Sequence, residues 1–272
     1  MKFVSNLAAG LAFYLALLAL GCICLGWSVF AFPIQRLVAK SRGRRIGRSV
    51  ISRAFRGYFR FTSQLGLTRF EIDALDALNS EFSLVLAANH PTLLDAAFIL
   101  SRLNNVGCIM KSSILENAFL GAGARLAGYI RNDRPHGMVR DSVEDLQQGS
   151  QLLIFPEGTR TVRAPVNEFK GGFALIARNA GVRVQTLLIE TDSPFLTKGW
   201  PIWRRPPAFP IHYRARLGER FEVGDDASAF ARDLQRYFEH ELDKENVSAA
   251  ASSCATAEPA EPRTAAQAAR CG

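Results

Sequence analysis

An uncharged apolar segment near the amino terminus is long enough to cross a lipid bilayer. No formally charged residue lies between Phe3 and Gln35, and the stretch Leu7–Phe32 is almost wholly apolar. A spanning helix needs about 20 such residues. A cleaved signal peptide has a shorter apolar region that is followed by a small-residue cleavage site, whereas this run continues past Trp27. We therefore predict an uncleaved anchor over residues 1–35, which is either transmembrane or re-entrant, entering and leaving the bilayer on one side.

Positive charge is concentrated directly behind this anchor. Of the 33 lysines and arginines, eleven precede Glu71, the first acidic residue, so the remaining 22 face 25 acidic residues. The net charge of +8 therefore belongs to the amino-terminal part of the chain. A nucleic-acid-binding protein carries its basic charge on the folded body, so this distribution indicates a membrane and no nucleic acid. Arginines alternate with apolar side chains in residues 36–73, which predicts a basic amphipathic helix on anionic lipid; an ordinary surface helix is the alternative.

The charges on the two sides of the apolar run predict its orientation. One lysine and the terminal amine precede the run, whereas six basic residues follow it within residues 36–48. The positive-inside rule then places the body of the protein on the cytoplasmic side of the inner, cytoplasmic membrane. The five cysteines fit a reducing compartment, because their number is odd and their spacing suits neither a disulfide framework nor a metal site.

Strand and helix patterns alternate through the body of the chain, which we assign to residues 74–246. Apolar runs predict strands at 82–88, 106–110, 151–155, 183–190 and 211–217. Helical patterns fall at 94–103, 115–127, 139–148, 172–179 and 227–243. Such alternation predicts an α/β fold in which a largely parallel sheet is covered by helices. The segment 247–272 is rich in Ala, Ser, Pro and Glu and is predicted to be a disordered tail.

A histidine and an acid lie where the first of these strands turns into a helix. The segment Asn89–Asp95 follows the strand, and His90 and Asp95 are five positions apart. On one continuous helix this offset separates two side chains by roughly 140°. The two side chains therefore meet only if His90 lies before the first helical turn, for which Pro91 is a suitable first residue. A carboxylate on one ring nitrogen would fix the tautomer and leave the other nitrogen as a general base; a capped helix with an incidental histidine is the alternative.

A second polar segment follows the strand at 151–155. It contains the acid Glu157, then Gly158, Thr159 and Arg160. Glycine permits a positive φ and a close approach of the backbone to a ligand. Arginine can bind a phosphate or a carboxylate through two hydrogen bonds. Functional groups gather at strand ends in α/β sheets, so the two polar segments are neighbours if their strands are. By itself, this segment could also be a turn with a surface arginine.

Together, the two segments resemble the lysophospholipid acyltransferase family, the glycerolipid acyltransferases typified by bacterial 1-acylglycerol-3-phosphate acyltransferase. The resemblance rests on His-x4-Asp at His90 and on Phe-Pro-Glu-Gly-Thr-Arg, which starts 65 residues later. It covers about residues 84–190, and the amino-terminal anchor is also typical of the group. It implies that His90 and Asp95 are catalytic. It further implies an acceptor-binding role for Glu157, Gly158, Thr159 and Arg160.

The resemblance also assigns a phosphate site and shows one departure. Spacing from Gly128 implies that Arg134 takes the family's phosphate-binding role, with Arg131 as a nearby second arginine. Without the resemblance, both arginines would be interpreted as solvated charges. The fourth motif of the family has a proline in the centre of a strand, where this chain has Gln185 and Thr186. That segment helps to shape the acyl or acceptor site in the family, so the identity of the acceptor stays open.

The chemistry that the resemblance implies is transfer of a fatty acyl chain from a thioester to a hydroxyl at a membrane. The expected partners are membrane lipids, a thioester of acyl-carrier protein or coenzyme A, and a lysolipid acceptor, with no metal and no cofactor. The chain has no Gly-x-Ser-x-Gly elbow, so direct attack by the acceptor hydroxyl is expected. The leading expectation is synthesis of phosphatidic acid; the same chemistry on another lysolipid or a specialised metabolite is the alternative. A non-catalytic lipid-binding scaffold would have lost His90, Asp95 or Glu157, and all three are present.

Overall fold

The computed structural model describes the backbone of residues 2–255 and the side chains of residues 8–244. The helices are α1 Lys2–Leu37, α2 Lys40–Gln64, α3 Asp95–Arg102, α4 Ser112–Leu115, α5 Gly121–Leu126, α6 Pro135–Gln147, α7 Gly172–Ala180 and α8 Ala227–Ala255. The strands are β1 Thr68–Glu71, β2 Leu84–Ala88, β3 Val106–Met110, β4 Ile130–Arg131, β5 Gln151–Ile154, β6 Val184–Thr191 and β7 Ile211–Phe221. A 3₁₀ segment, Asp73–Ser80, connects β1 to β2.

These strands form one sheet in the order β1-β7-β6-β2-β5-β3-β4. Strands β6, β2, β5, β3 and β4 run in one direction, and β7 lies antiparallel to β6 with β1 parallel to β7. Side chains alternate between the two faces, so Leu86 packs into the core beneath α2 and α3 while Val85 packs into the core beneath α7 and α8. The predicted α/β fold with a largely parallel sheet is confirmed.

Element boundaries differ from the predictions where segments are short. Strands β1 and β4 were not predicted, because four and two residues are too few to establish a period. Of the helix predicted over 115–127, only α5 from Gly121 to Leu126 is helical beyond Leu115, where the separate short helix α4 ends. The break occurs at Asn117, whose side-chain oxygen accepts hydrogen bonds from the backbone N–H groups of Phe119 and Leu120. Such a local bond competes with helical pairing and starts a new helix.

The last helix is longer than the pattern predicts. Helix α8 continues past residue 243 to Ala255. Residues 247–255 are therefore helical, and the prediction of disorder is wrong there. Alanine has the highest intrinsic helix propensity, which explains why this Ala-rich segment extends the helix. The rest of the predicted tail, residues 256–272, lies outside the described residues.

Helix α1 lies along the body of the protein. Its segment Ala8–Leu37 is the one described helix that is long and apolar enough to cross a membrane. Near its start, Phe13 packs edge-on against Phe195, and near its end Ala31 is fully buried against α5. The opposite face of α1 carries exposed apolar side chains, namely Leu11, Leu15, Leu18, Leu25, Val29 and Phe30. One face of the predicted anchor thus belongs to the core.

Helix α2 is fixed to the body by a buried ion pair and by a close backbone approach. Arg48 donates two hydrogen bonds to the Asp145 carboxylate of α6, at 2.7 and 2.9 Å, and one to the carbonyl of Ala127 at 3.0 Å. A Cβ atom on Gly47 would lie 2.6 Å from the Ala127 nitrogen, so only glycine permits this contact. The basic segment predicted over 36–73 is therefore mostly one helix that packs against the domain along one face.

Candidate active site

The two polar segments lie side by side at one edge of the sheet. Strand β2 pairs in parallel with β5, with Ala87 opposite Ile154. His90 follows the carboxyl end of β2 and Glu157 follows the carboxyl end of β5. The condition set by the sequence, that the two strands be neighbours, is met. The carboxyl ends of parallel strands are where ligands bind in open α/β sheets.

His90 and Asp95 form a hydrogen-bonded pair. The ring nitrogen Nδ1 of His90 lies 2.7 Å from Oδ2 of Asp95. Helix α3 begins at Asp95, so His90 precedes the helix entirely and the offset of five residues is spanned by a loop. The prediction that Pro91 starts the helix is wrong, because the Asp95 side chain itself binds the loop backbone at Thr92. The other part of the prediction is met: His90 lies before the first helical turn, and its side chain meets that of Asp95.

Thr92 holds the same carboxylate through two more hydrogen bonds. Its backbone N–H donates to Oδ2 of Asp95 at 2.7 Å, and its hydroxyl donates to Oδ1 at 2.5 Å. Both residues are fully buried. Burial raises the pKa of the Asp95 carboxyl above its ordinary value, and the hydrogen bonds from His90 and Thr92 oppose that rise. Thr92 was not singled out from the sequence, although a hydroxyl three positions before a helical acid is a recognisable signal for such a contact.

The His90 ring presents its second nitrogen to the outside. The ring stacks on Phe155, with ring centroids 3.9 Å apart and planes 16° apart. The His90 side chain is 17% exposed while that of Asp95 is 0% exposed. Among the residues whose side chains are described, none donates to or accepts from Nε2. A neutral ring that donates Nδ1–H to Asp95 would therefore leave Nε2 free to accept a proton from a bound molecule.

Glu157 connects the two polar segments instead of facing outward. One of its carboxylate oxygens accepts hydrogen bonds from the backbone N–H of His90 at 2.9 Å and from the Thr161 hydroxyl at 2.8 Å. The other oxygen accepts from the backbone N–H of Asn167 at 2.9 Å. The Glu157 side chain is buried. Its visible contribution is to fix the backbone of the histidine loop.

The rest of the second segment surrounds the site. Gly158 has a φ of +66°, a conformation that favours glycine, and Thr159 beside it is exposed. Arg160 donates from one guanidinium nitrogen to the carbonyls of Leu196 and Thr197, at 2.8 and 2.9 Å. The guanidinium has further N–H groups, so this contact does not exhaust its capacity to bind an anion.

Arg131 and Arg134 also lie at the carboxyl end of a strand, but that strand is β4, the last strand on one side of the sheet. Strand β4, which ends at Arg131, is three strand spacings from β2, or roughly 14 Å. Arg131 forms ion pairs with Glu116 and Asp133, and its hydrogen bond to Asp133 lowers the pKa of that acid to about 2. Arg134 is exposed at the start of α6. The structure thus brings His90, Asp95 and Glu157 together and leaves these two arginines apart from them.

The departure from the family pattern at Gln185 and Thr186 has a structural explanation. The amide nitrogen of Gln185 donates to the carbonyl of Gly218, and the hydroxyl of Thr186 donates to the carbonyl of Glu219, both at 2.7 Å. Both side chains are buried. The pairing of β6 with β7 is irregular between Gln185 and Leu187. The two polar side chains replace the regular ladder at this irregularity.

A second residue that the sequence did not single out for a role is Asn89. Its side-chain amide donates to the carbonyl of Ile189 at 2.8 Å and accepts from the backbone N–H of the same residue at 2.7 Å. This pair of bonds continues the pairing of β2 with β6 by one residue past the strand end. Because His90 is the next residue, Asn89 fixes the point at which the histidine leaves the sheet.

Comparison with known proteins gives concordant matches. Residues 69–190, a little under half of the chain, match the family described as acyltransferase. The chain is 25% identical over 194 residues to the 1-acyl-sn-glycerol-3-phosphate acyltransferase of Pseudomonas aeruginosa, covering 69% of this chain and 73% of that protein. It is 29% identical over 137 residues to the chloroplastic 1-acyl-sn-glycerol-3-phosphate acyltransferase LPAT1 of Arabidopsis thaliana, covering 48% of this chain but only 38% of that protein.

The fold is similar to a solved structure over most of its length. The crystal structure of the 1-acyl-sn-glycerophosphate (LPA) acyltransferase PlsC from Thermotoga maritima matches with a TM-score of 0.67 and 18% identity. The match covers 90% of this chain and 98% of that one. This share is too large to come from the acyltransferase domain alone, so the similarity in fold extends to the helices around it.

Proposed function

We propose that this protein, whose residues 69–190 match the acyltransferase family, moves a fatty acyl chain to the free hydroxyl of 1-acylglycerol-3-phosphate and so makes phosphatidic acid. The names of the similar bacterial and plant enzymes support this acceptor. The observation that carries the chemistry is the His90–Asp95 pair, joined at 2.7 Å at the carboxyl edge of the sheet. The donor is a thioester of acyl-carrier protein or coenzyme A, and no cofactor takes part.

The proposed mechanism is direct transfer with His90 as the base. Nε2 of His90 accepts the proton of the acceptor hydroxyl while the oxygen attacks the thioester carbonyl. The tetrahedral intermediate then collapses, and the thiolate leaves with the proton that the imidazolium returns. Asp95 holds Nδ1–H and stabilises the imidazolium, as its three hydrogen bonds to the loop allow. Glu157 acts on this step through the His90 backbone.

Arg160 and Arg134 are the two proposed ligands of the acceptor phosphate, each on its own side of the site. Arg160 lies on the same loop as Glu157 and keeps unused N–H groups. Arg134 is exposed, and its side chain makes no hydrogen bond or ion pair within residues 8–244. Arg131 is held by Glu116 and Asp133, which makes it the weaker candidate of the three. Thr159, which is exposed beside Gly158, is the proposed contact to the glycerol part.

The membrane mode is proposed to be insertion into one leaflet on the cytoplasmic side. A helix that spanned the bilayer would carry the elements packed along it into the hydrocarbon. Helix α1 contacts the domain from Phe13 to Ala31, and α2, with its many arginines, is packed beside it. Guanidinium groups are costly inside a bilayer. Burial of only the outer apolar face of α1 in the lipid avoids that cost and keeps the active site at the surface of the leaflet.

A different lysolipid is the second candidate acceptor. It is favoured by one observation, the neutralisation of Arg131 by two carboxylates, which leaves less positive charge for a phosphate monoester. The chemistry at His90 would be unchanged. The Gln185–Thr186 departure gives this candidate little support, because both side chains bind strand β7.

An acylation assay with a panel of acceptors tests the proposal. Purified full-length protein is incubated with labelled acyl-coenzyme A or acyl-carrier protein and with 1-acylglycerol-3-phosphate or other lysolipids. We expect phosphatidic acid as the main product, and no turnover by His90→Ala with an unchanged melting temperature. Near-normal turnover by that variant would refute His90 as the base. Faster acylation of another lysolipid would refute the acceptor and leave the mechanism intact.

A further inference from the structure

An arginine-lined cleft lies at the opposite edge of the sheet from His90. Its volume is about 700 Å³, and its walls include Arg42, Arg44, Arg45 and Arg48 from the first turns of α2. The other wall contains residues 105 and 150, which directly precede β3 and β5, whereas the histidine and glutamate segments follow their strands. A strand of four or five residues separates the two sheet edges by roughly 15 Å. The cleft is therefore distinct from the candidate active site.

The positive charge of the cleft is mostly uncompensated. Its single acid, Asp145, is bound by Arg48 at 2.7 Å, and Arg44 reaches the same carboxylate at 3.4 Å. Arg42 and Arg45 are exposed, and neither makes a hydrogen bond or an ion pair within residues 8–244. Guanidinium groups bind phosphate oxygens through paired hydrogen bonds. The cleft thus offers at least two free guanidinium groups and an overall positive charge to an anion.

The surroundings of the cleft identify the kind of anion. The side chain of Leu37, two residues before the cleft wall begins at Ala39, is 83% exposed. Phe30 and Phe32 are exposed on the same end of α1. Phosphate chemistry next to exposed apolar side chains matches a molecule with both parts, which is a phospholipid. An acidic protein would satisfy the arginines but would leave these side chains in water.

We propose that this cleft binds the phosphate of one anionic membrane phospholipid, whose acyl chains lie along the outer face of α1. The lipid is not a substrate, because its phosphate lies at the other edge of the sheet from His90. Its binding would hold the turn between α1 and α2 at the level of the headgroups. Charge and exposure at this end of the molecule support this site, which does not depend on the reaction at His90.

Native mass spectrometry of the full-length protein in detergent tests this site. After addition of phosphatidylglycerol we expect one tightly retained lipid per protein, and none after addition of phosphatidylcholine or of inorganic phosphate alone. The double variant Arg42→Gln/Arg45→Gln should lower retention roughly 25-fold, because each basic residue near an anionic headgroup contributes about fivefold. Both side chains are exposed, so the fold should be unaffected, and an unchanged melting temperature verifies this.

The matched control is Arg53→Gln/Arg60→Gln. It removes the same charge from exposed positions of the same helix, outside the cleft. Equal loss of lipid in the two double variants would overturn the proposal in favour of diffuse attraction. Retention of inorganic phosphate without lipid would identify a free-phosphate site and also overturn it. So would saturable binding of an acidic carrier protein that depends on Arg42 and Arg45 in the absence of retained lipid. His90→Ala should retain the lipid fully, which separates this result from the fate of the proposed reaction.

Discussion

The carboxylate of Asp95 receives two hydrogen bonds from Thr92 and one from His90. A loop of four residues, 91–94, therefore supplies both the backbone and the side-chain contacts that orient the base. The Glu157 carboxylate adds a third constraint by accepting the His90 N–H. A site whose orienting bonds exist before any ligand binds needs little reorganisation during the reaction. The proposed base, His90, is thus distinct from Asp95, Thr92 and Glu157, which only position it.

Asp95→Asn should remove activity without destabilising the protein at neutral pH. Asparagine can still accept from the Thr92 N–H and from His90, and its amide can donate to the Thr92 hydroxyl. The imidazolium loses its counter-charge, so we expect kcat to fall by roughly 10³- to 10⁴-fold. The pKa of Asp95 is raised by burial in the folded state, so the protonated acid is the form that folding favours.

This raised pKa gives the stability prediction a definite sign. Protonated Asp95 contributes to the free energy of unfolding. This contribution is fully present below the pKa that Asp95 has in the unfolded chain, and it is lost as the pH rises through the higher pKa of the folded state. The melting temperature of the wild type should therefore fall relative to that of Asp95→Asn as the pH increases through this interval. Paired thermal melts across the pH range measure the difference. A constant difference, or one of opposite slope, would contradict the assignment.

Thr92→Val should lower kcat and leave KM nearly unchanged. Thr92 is fully buried and contacts Asp95, not the exposed face where an acceptor binds. Loss of a hydrogen bond to a charged group corresponds to a decrease of roughly 10- to 100-fold. Thr92→Ser keeps the hydroxyl and should restore most of the rate. Equal rates for the valine and serine variants, measured under saturating acceptor, would show that the hydroxyl does not position Asp95.

At the scale of elements, the attachment of α2 depends on one buried ion pair. Arg48→Met would leave Asp145 buried without its partner, which costs about 3–5 kcal/mol of unfolding free energy. Replacing both residues by apolar ones, Arg48→Met with Asp145→Leu, should recover much of this loss, since no unpaired charge remains. Denaturant unfolding in detergent measures all three proteins. Arg140→Met, which disrupts the exposed pair with Asp141, is the control and should be close to the wild type.

The strands that are easiest to recognise in this sequence are the buried ones in the centre of the sheet. Strand β3 has the predicted bounds, and β2 and β5 lie within one or two residues of theirs, because all three are continuous apolar runs in the core. Strand β4 has only two residues, and it can be recognised as a strand only from its pairing with β3 in the fold. Helix α3 lies within one residue of its predicted bounds of 94–103 at each end. Pro91 does not start it, because the Asp95 carboxylate accepts a hydrogen bond from the Thr92 N–H and keeps residues 91–94 in a loop.

In the candidate site too, the contacts that could be predicted are those between residues close in the sequence. His90 and Asp95 could be paired from the sequence because they are close in the chain and a loop between them suffices. The inward orientation of Glu157 could not, since it depends on contacts with Asn167 and with the His90 backbone, 67 positions earlier. The ion pairs of Arg131 with Glu116 and Asp133 likewise depend on how α4 and β4 are placed. Whether an arginine is free to bind a phosphate therefore depends on which acids lie beside it in the fold.

Across the whole molecule, α1 and α2 lie across α5 and connect the two edges of the sheet. The start of α1 and the end of α2 share a core with the loop that carries Phe195, near the histidine edge. The end of α1 packs on α5, and α2 begins beside the arginine cleft at the other edge. The outer apolar face of α1 therefore runs from the candidate active site to the cleft. A membrane in contact with that face would present lipid to both regions at once.

The orientation of this helix pair can be tested with tags at both ends of the chain. Helix α1 has 36 residues and a length of about 54 Å, more than the roughly 30 Å of a hydrocarbon core, so length alone permits a span. If α1 lies in one leaflet, an amino-terminal tag with a protease site stays on the same side as a carboxyl-terminal tag. Protease added to sealed inside-out vesicles should then remove both tags, and protease added to spheroplasts should remove neither. Removal of the amino-terminal tag only from spheroplasts would mean that α1 spans the bilayer, in which case its contacts from Phe13 to Ala31 would have to separate from the domain in the membrane.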